Sequence, residues 1–164
     1  LTKDKAFFTQ KIQECENKIY RLSLGILRNE ADAADAMQDA ILKAWVNFES
    51  LRDRKSFDTW ILAIVHNCAV EALRKRREWS DIDEYYDLAA EEGPLDRASK
   101  MTLWQAVEKL ELPYRTVVVL FYYDGCSVKE IASVTASTAA AVRQQLARAR
   151  KMLAAMLDRK DFEI

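Results

Sequence analysis

The chain has 164 residues, half of them hydrophobic, with 25 Lys and Arg against 26 Asp and Glu for a formal net charge of −1. That length suits one domain or two small ones, and the hydrophobic share excludes a chain disordered throughout. The near-neutral charge excludes strong global attraction to nucleic acid and leaves only local patches to provide it. With only Gly 3 and Pro 2, long stretches run uninterrupted, and the composition predicts an all-α protein. Cys15, Cys68 and Cys126 are widely spaced without a CxxC, and His66 is the only histidine. No metal site, cofactor or disulfide framework is expected, and a reducing cytoplasm fits. No apolar run approaches the roughly 18–20 residues of a membrane span, and no signal peptide is visible.

The first predicted helix covers Lys5–Leu27, with Phe8, Ile12, Cys15, Ile19, Leu22 and Ile26 on one face. Asn29 is placed to cap a second helix whose first turn is acidic. Its inward face is expected to hold Ala33, Met37, Ala40, Ile41, Ala44, Trp45 and Phe48. Its outer face presents Asp35, Gln38, Asp39, Leu42 and Lys43. Leu42 among polar neighbours suits a partner surface; an ordinary solvated acidic face is the plainer reading.

A charged loop over Glu49–Lys55 leads to the most informative stretch, Phe57–Arg77. Ser56 is placed to cap this helix, and Ile61, Ile64, Val65, Ala69, Ala72 and Leu73 recur at helical spacing. Phe57 and Trp60 stand at the first turn, Asn67 two turns on, and Arg74, Lys75, Arg76 and Arg77 form a basic end. Aromatic rings for unstacked bases, an amide for a base edge and cations for phosphates suit opened DNA. A core helix with a solvated basic end accounts for the same residues.

Composition shifts at Trp79. Ser80–Leu95 is acidic with a Gly-Pro break, which predicts a linker between two helical domains. The second domain is expected from Asp96, with Leu103, Val107 and Leu110 on an amphipathic helix. Pro113 opens the next helix and Gly125 ends it. Ser127 and Glu130 form a capping box before a short helix Val128–Val134, followed by a tight turn and a helix from about Thr138 to Leu157. Short helix, turn and long helix predict a helix-turn-helix. In the last helix Val142, Leu146, Ala149, Leu153 and Met156 form a buried face, opposite Ala140, Arg143, Gln144, Ala147, Arg148 and Lys151. Such a face suits the major groove, where Arg and Gln read bases or hold phosphates.

These segments, in order, resemble the extracytoplasmic-function (group IV) sigma factors of bacterial RNA polymerase, in the sigma-70 family. YRLSLGILRNEADAADAMQDAILKAW is similar to regions 2.1 and 2.2, and SFDTWILAIVHNCAVEALRKRR to regions 2.3 and 2.4. LPYRTVVVLFYYDGCSVKEIASV through VRQQLARARKML is similar to region 4. The resemblance implies two small helical domains joined by a flexible linker: a three- to four-helix region 2 over 1–79, a linker over 80–95, and a four-helix region 4 over 96–164. It implies a non-enzymatic subunit that binds core polymerase, recognises promoter DNA and assists melting, with no small-molecule substrate.

By matching positions, Asp35, Gln38, Asp39 and Leu42 would meet the β′ clamp helices, with region 4 at the β flap. Phe48–Phe57 with Trp60 would surround a base flipped from the minus-ten element, Asn67 would touch a base edge, and Arg74–Arg77 would hold phosphates. Arg143, Gln144, Ala147, Arg148 and Lys151 would face the minus-thirty-five element. A regulatory anti-sigma factor, often a membrane protein holding its sigma factor at the inner membrane face, is implied as well. The chain departs from the family pattern where Ala136, Ala140 and Ala141 replace the usual turn glycine and Gly-Thr pair. Arg143, Gln144 and Gln145 replace a more basic run, which weakens phosphate anchoring and alters the sequence read.

Two other classes compete. An ordinary helix-turn-helix regulator with a helical sensor domain would bind duplex operator alone, but has no need of the Trp60, Asn67 and Arg74 constellation. A helical enzyme is opposed by the single histidine and the lack of a Gly-rich phosphate loop or clustered metal ligands.

Overall fold

A computed structural model describes residues 2–80 and 101–157, and all the described regular structure is helical. The first unit packs α1 (Thr2–Leu27), α2 (Glu30–Val46) and α3 (Phe57–Ser80) against one another. Helix α1 buries Phe8, Cys15, Ile19, Leu22 and Ile26, the face its spacing predicts. It ends at Arg28, held in the left-handed region at φ 56° while its amide donates to the Leu24 carbonyl at 2.7 Å. Asn29 then caps α2, its side chain accepting from the Asp32 amide at 2.9 Å.

Helix α2 turns Ala33, Ala36, Ala40 and Ala44 inward, so a stripe of small side chains lets it sit close to α1 and α3. Trp45, expected on that face, is 41 % exposed. It lies one position past Ala44, about 100° around the helix, and its ring rests against Phe8 and Phe48 at centroid distances of 5.1 and 6.1 Å. Single turns of 3-10 helix at Phe48–Ser50 and Arg54–Ser56 shape the loop into α3. Asp53 caps the second of these turns, its side chain accepting the Lys55 amide at 3.0 Å, and Ser56 is the last residue of that turn.

The second unit begins with α4 (Leu103–Glu108), fixed by a reciprocal capping box between Thr102 and Gln105. Then α5 (Leu112–Val118), with Pro113 in its first turn, runs into one π turn over Val119–Tyr123, where the Asp124 amide reaches the Val119 carbonyl at 3.0 Å. Gly125 leaves the helix at φ +71°, the left-handed position that glycine occupies without strain. The Ser127–Glu130 capping box opens α6 (Val128–Val134), and Thr138 caps α7 (Ala139–Met156) by accepting the Ala141 amide at 3.1 Å. Between them Ala136 carries φ +53°.

The predicted boundary at Trp79 is passed by α3, which continues to Ser80. The rest of the acidic segment to Leu95, and the expected domain start at Asp96, lie outside the described residues. The two units pack together: α1 meets α5 and the π turn, and α3 meets α6. One apolar cluster joins Leu22, Ile26, Ile61 and Val65 with Val117, Leu120, Ile131 and Leu146. A second cluster, Val107, Leu110, Val118, Val119, Ala149 and Leu153 among its members, lies within the second unit.

Candidate functional site

Three surfaces carry the residues singled out from the sequence. On α2, the alanine stripe turns Asp35, Gln38, Asp39 and Leu42 outward together, and all four are exposed. Leu42 is 65 % exposed and Val46, one turn on, 79 %. Val46 and Trp45 also belong to this surface, beyond the residues expected from the sequence. The signal was there in Leu42, Trp45 and Val46, apolar residues spaced three and four apart, which share a face when extended to the helix end.

The second surface is the loop before α3 and the first turns of that helix. A cleft of about 500 Å³ is lined by Ser50–Asp53, Ser56, Thr59, Trp60 and Ala63, with Lys129, Glu130 and Ser133 of α6 facing them. Trp60 is half-buried at its wall, its ring 5.6 Å from Phe57 and 6.2 Å from Phe48 by centroid. Phe57 is 0 % exposed, so the expectation that it stacks on a base is corrected. Its ring is enclosed edge-on by Phe7 and Phe8 at 6.0 and 5.8 Å. The guanidinium of Arg54 lies 4.5 Å from the Phe7 ring centre and also reaches Asp4, which fixes the loop from outside.

Farther along α3, Asn67 is exposed, with its side-chain oxygen 3.3 Å from Nδ1 of His66. Burial lowers the His66 pKa, against a raising contribution from the Asn67 hydrogen bond. The basic end divides. Lys75 and Arg77 project outward, while exposed Arg74 is held between Glu71 and Glu78. Arg76 turns inward, donating to Asp32 at 2.8 Å and to the Leu27 carbonyl at 3.0 Å. Its expected phosphate contact is therefore replaced by a brace across the α1–α2 junction. The charge run did not announce this, because its partners lie 44 and 49 residues away.

The third surface is the outer face of α7. Val142, Leu146, Ala149 and Leu153 are buried as the spacing predicts, and Arg143, Gln144, Ala147, Arg148 and Lys151 are all exposed. The Thr138 cap starts this helix after the four-residue turn 135–138 that follows α6. Arg150, not singled out beforehand, donates to the Tyr122 hydroxyl at 2.6 Å and lies 5.9 Å from the Phe121 and Tyr122 ring centres.

The cysteines are free and buried. Burial pushes the Cys15 thiol up to about 12 and Cys126 to about 11, so neither is a ready thiolate at neutral pH. Among the described residues no helix is long and apolar enough to cross a membrane.

A small-residue helix with a polar outer face, a cleft beside an aromatic helix start and a helix-turn-helix are together the parts of a promoter-recognition subunit. Residues 12–78 match the family model described as Sigma-70 region 2, and residues 100–153 match Sigma-70, region 4. The RNA polymerase sigma factor SigV of Bacillus subtilis (strain 168) is 27% identical over 158 residues, covering 96% of this chain and 95% of that protein. The ECF RNA polymerase sigma factor SigW of the same strain is 30% identical over 169 residues, covering 92% and 88%. The fold is similar to the sigma factor RpoE from Bartonella quintana, solved in complex with the anti-sigma factor NepR, at a TM-score of 0.77 and 22% identity over 91% of this chain and 95% of that one. The chain belongs to the extracytoplasmic-function sigma factors of the sigma-70 family.

Proposed function

We propose that this sigma factor engages core polymerase through the outer face of α2 and serves promoter DNA with the other two surfaces. The observation that carries the reading is the polar face of Asp35, Gln38 and Asp39 around an exposed Leu42, extended by Val46. An exposed leucine ringed by acids is stable in water only at a small cost, and suits a partner offering an apolar spot ringed by cations. In sigma factors that partner is the pair of clamp helices of the β′ subunit, and region 4 sits at the β flap.

The cleft beside Trp60 takes a base released from the minus-ten element, Asn67 meets a base edge, and Lys75, Arg77 and Arg74 hold the strand. Unstacking a base costs a few kcal/mol, which a preformed cleft offsets. Arg143 and Gln144 read bases at the minus-thirty-five element while Arg148 and Lys151 hold phosphates, and Ala147 permits close approach of the helix. The likeness to a sigma factor solved with its anti-sigma protein supports control of the same kind here, exerted by a partner that covers these faces in the cytoplasm. A membrane-anchored partner would hold the chain at the inner membrane face. The reading requires no catalytic residue and no cofactor.

The test is affinity for purified core polymerase. Asp39→Arg and Leu42→Ala are each expected to weaken binding about tenfold, with the circular dichroism of the free protein unchanged. Unaltered affinity in both variants refutes the assignment of this face.

A further inference from the structure

The seam between the two units is close-packed in one place and hollow in another. At the end of α1 the buried Arg115 guanidinium donates to the carbonyls of Gly25 and Ile26. There a Cβ added at Gly25 would lie 2.9 Å from Cγ2 of Val119, closer than such atoms approach. Between α3 and α5, by contrast, a cavity of about 260 Å³ remains, separate from the cleft beside Trp60. Its apolar walls are Val70 of α3 and Leu112 and Val117 of α5. The space would hold about nine waters at ~30 Å³ each or one compact organic molecule, just below the roughly 300–1,000 Å³ of common ligand pockets. None of the residues that line it is Lys, Arg, Asp or Glu. An ion entering it would lose hydration without meeting a counter-charge.

The polar groups of the lining are specific. Thr116, 4 % exposed, carries a hydroxyl with no hydrogen-bond partner. A helical threonine commonly turns its hydroxyl to a carbonyl three or four residues back; Thr116 does not. Thr135 donates its hydroxyl proton to the Ile131 carbonyl at 2.8 Å, so in its 2.8 Å contact with Ser137 the serine is the donor. Ser137 is then left with acceptor lone pairs, while Gln145 carries both an amide donor and a carbonyl acceptor. Nδ1 of His66 is 3.3 Å from Oδ1 of Asn67, so the neutral ring that burial favours donates there and keeps Nε2 as an acceptor. We propose that this cavity binds a compact uncharged carboxamide. Its N–H groups go to Ser137 and the Gln145 oxygen, and its carbonyl takes the Thr116 hydroxyl, brought round by a staggered turn of χ1. A carboxylate has no N–H for Ser137, and an ammonium finds no counter-charge. The occupant sits beside two residues assigned above to DNA, Asn67 through His66 and Gln144 through Gln145, but its binding does not depend on those assignments.

The probe is benzamide, with benzoate and benzylammonium as its charged counterparts, titrated into the full isotope-labelled chain. The backbone amide shifts of Val70, Thr116, Ser137 and Gln145 should move together and saturate at about millimolar concentration, the affinity open to a fragment of about nine heavy atoms. Both charged probes should bind at least about tenfold more weakly, since each forfeits a buried hydrogen bond or enters as an unpaired ion. Thr116→Val keeps the shape of the side chain and removes its hydroxyl, and should weaken benzamide about tenfold. The urea midpoint of that variant should not fall, because the hydroxyl it removes has no partner in the free chain. Ser137→Ala, at an exposed position, should weaken benzamide as well while leaving the fold intact. Unmoved shifts at these four residues would leave the cavity to water and overturn the proposal. Benzoate binding as tightly as benzamide overturns it too, and so does an unchanged benzamide affinity in both variants.

Discussion

Replacing Trp60 with alanine separates a side chain that serves DNA from one that serves the core. Trp60 is half-buried with one edge on the cleft, whereas its neighbour Phe57 is enclosed on every side. Stacking of one base on an aromatic ring is worth about 1–3 kcal/mol, which at about 1.4 kcal/mol per factor of ten corresponds to roughly a 5- to 150-fold loss. That loss should fall on open-complex formation, because in duplex DNA the base is not yet available to stack. Recruitment of the holoenzyme to a closed promoter should change by less than about twofold if no stacking energy is engaged at that step. Permanganate reactivity of unpaired thymines measures the open complex, and gel retardation at low temperature measures the closed one. A pre-melted template should recover part of the defect, since melting no longer draws on the stacking energy. Phe57→Ala is the contrast: removing a buried phenylalanine costs about 3–5 kcal/mol of stability, and both steps should fall together with the folded fraction. Equal losses at the closed and open steps for Trp60→Ala would refute the stacking role and return the ring to the core.

In the helix-turn-helix turn, Ala136→Gly should raise stability by about 1 kcal/mol or less, since relief of left-handed strain of about 1–2 kcal/mol exceeds the extra chain entropy of glycine; a lower urea midpoint would refute the strain. Burial, opposed by the hydrogen bond and charge of Arg21 and by the charge of Lys18, raises Asp124 from 3.8 to about 6, and the Asp124 charge in turn helps to raise the Cys126 thiol. A carboxyl raised in the folded state favours folding when protonated, so this contribution is fully present below about pH 4 and is lost as pH rises through about 6, by at most about 3 kcal/mol. Asp124→Asn should flatten that window in urea titrations, and an unchanged pH profile would exclude Asp124 as its source. On α7, Gln144→Ala should alter base preference at the minus-thirty-five element by about 1–3 kcal/mol at one position, whereas Lys151→Ala should weaken all sequences alike and reduce the salt slope by about one. Binding across single-base variants at two salt concentrations tells them apart.

What the sequence discloses here depends on how local the cause is. The Asn29 cap, the Ser127–Glu130 box and the buried face of α7 are set within four residues or one helix face, and each is found where the pattern puts it. Helix α3 is less legible because α1 and α2 cover one side and α6 another, so Leu62 is buried outside the predicted stripe. The sequence pattern puts Trp45 on the inward face of α2, but the alanine stripe decides the orientation of that helix. Phe57 and Arg76 misled for a related reason: an aromatic ring or a guanidinium serves a core or a ligand equally well. Their partners stand far away in the chain, Phe7 and Phe8 for one and Asp32 and Leu27 for the other. The seam is least visible of all, since Arg115 meets Ile26 across 89 residues and Arg21 meets Asp124 across 103.

Gly25 answers to both halves of the molecule at once. In a fragment holding only the first unit, alanine at this position would be the better residue by about 1 kcal/mol, because glycine inside a helix is costly. In the whole chain the same methyl group collides with Val119, and its benefit changes sign. A substitution whose value reverses with the presence of the other half is best judged in the intact molecule rather than in either part.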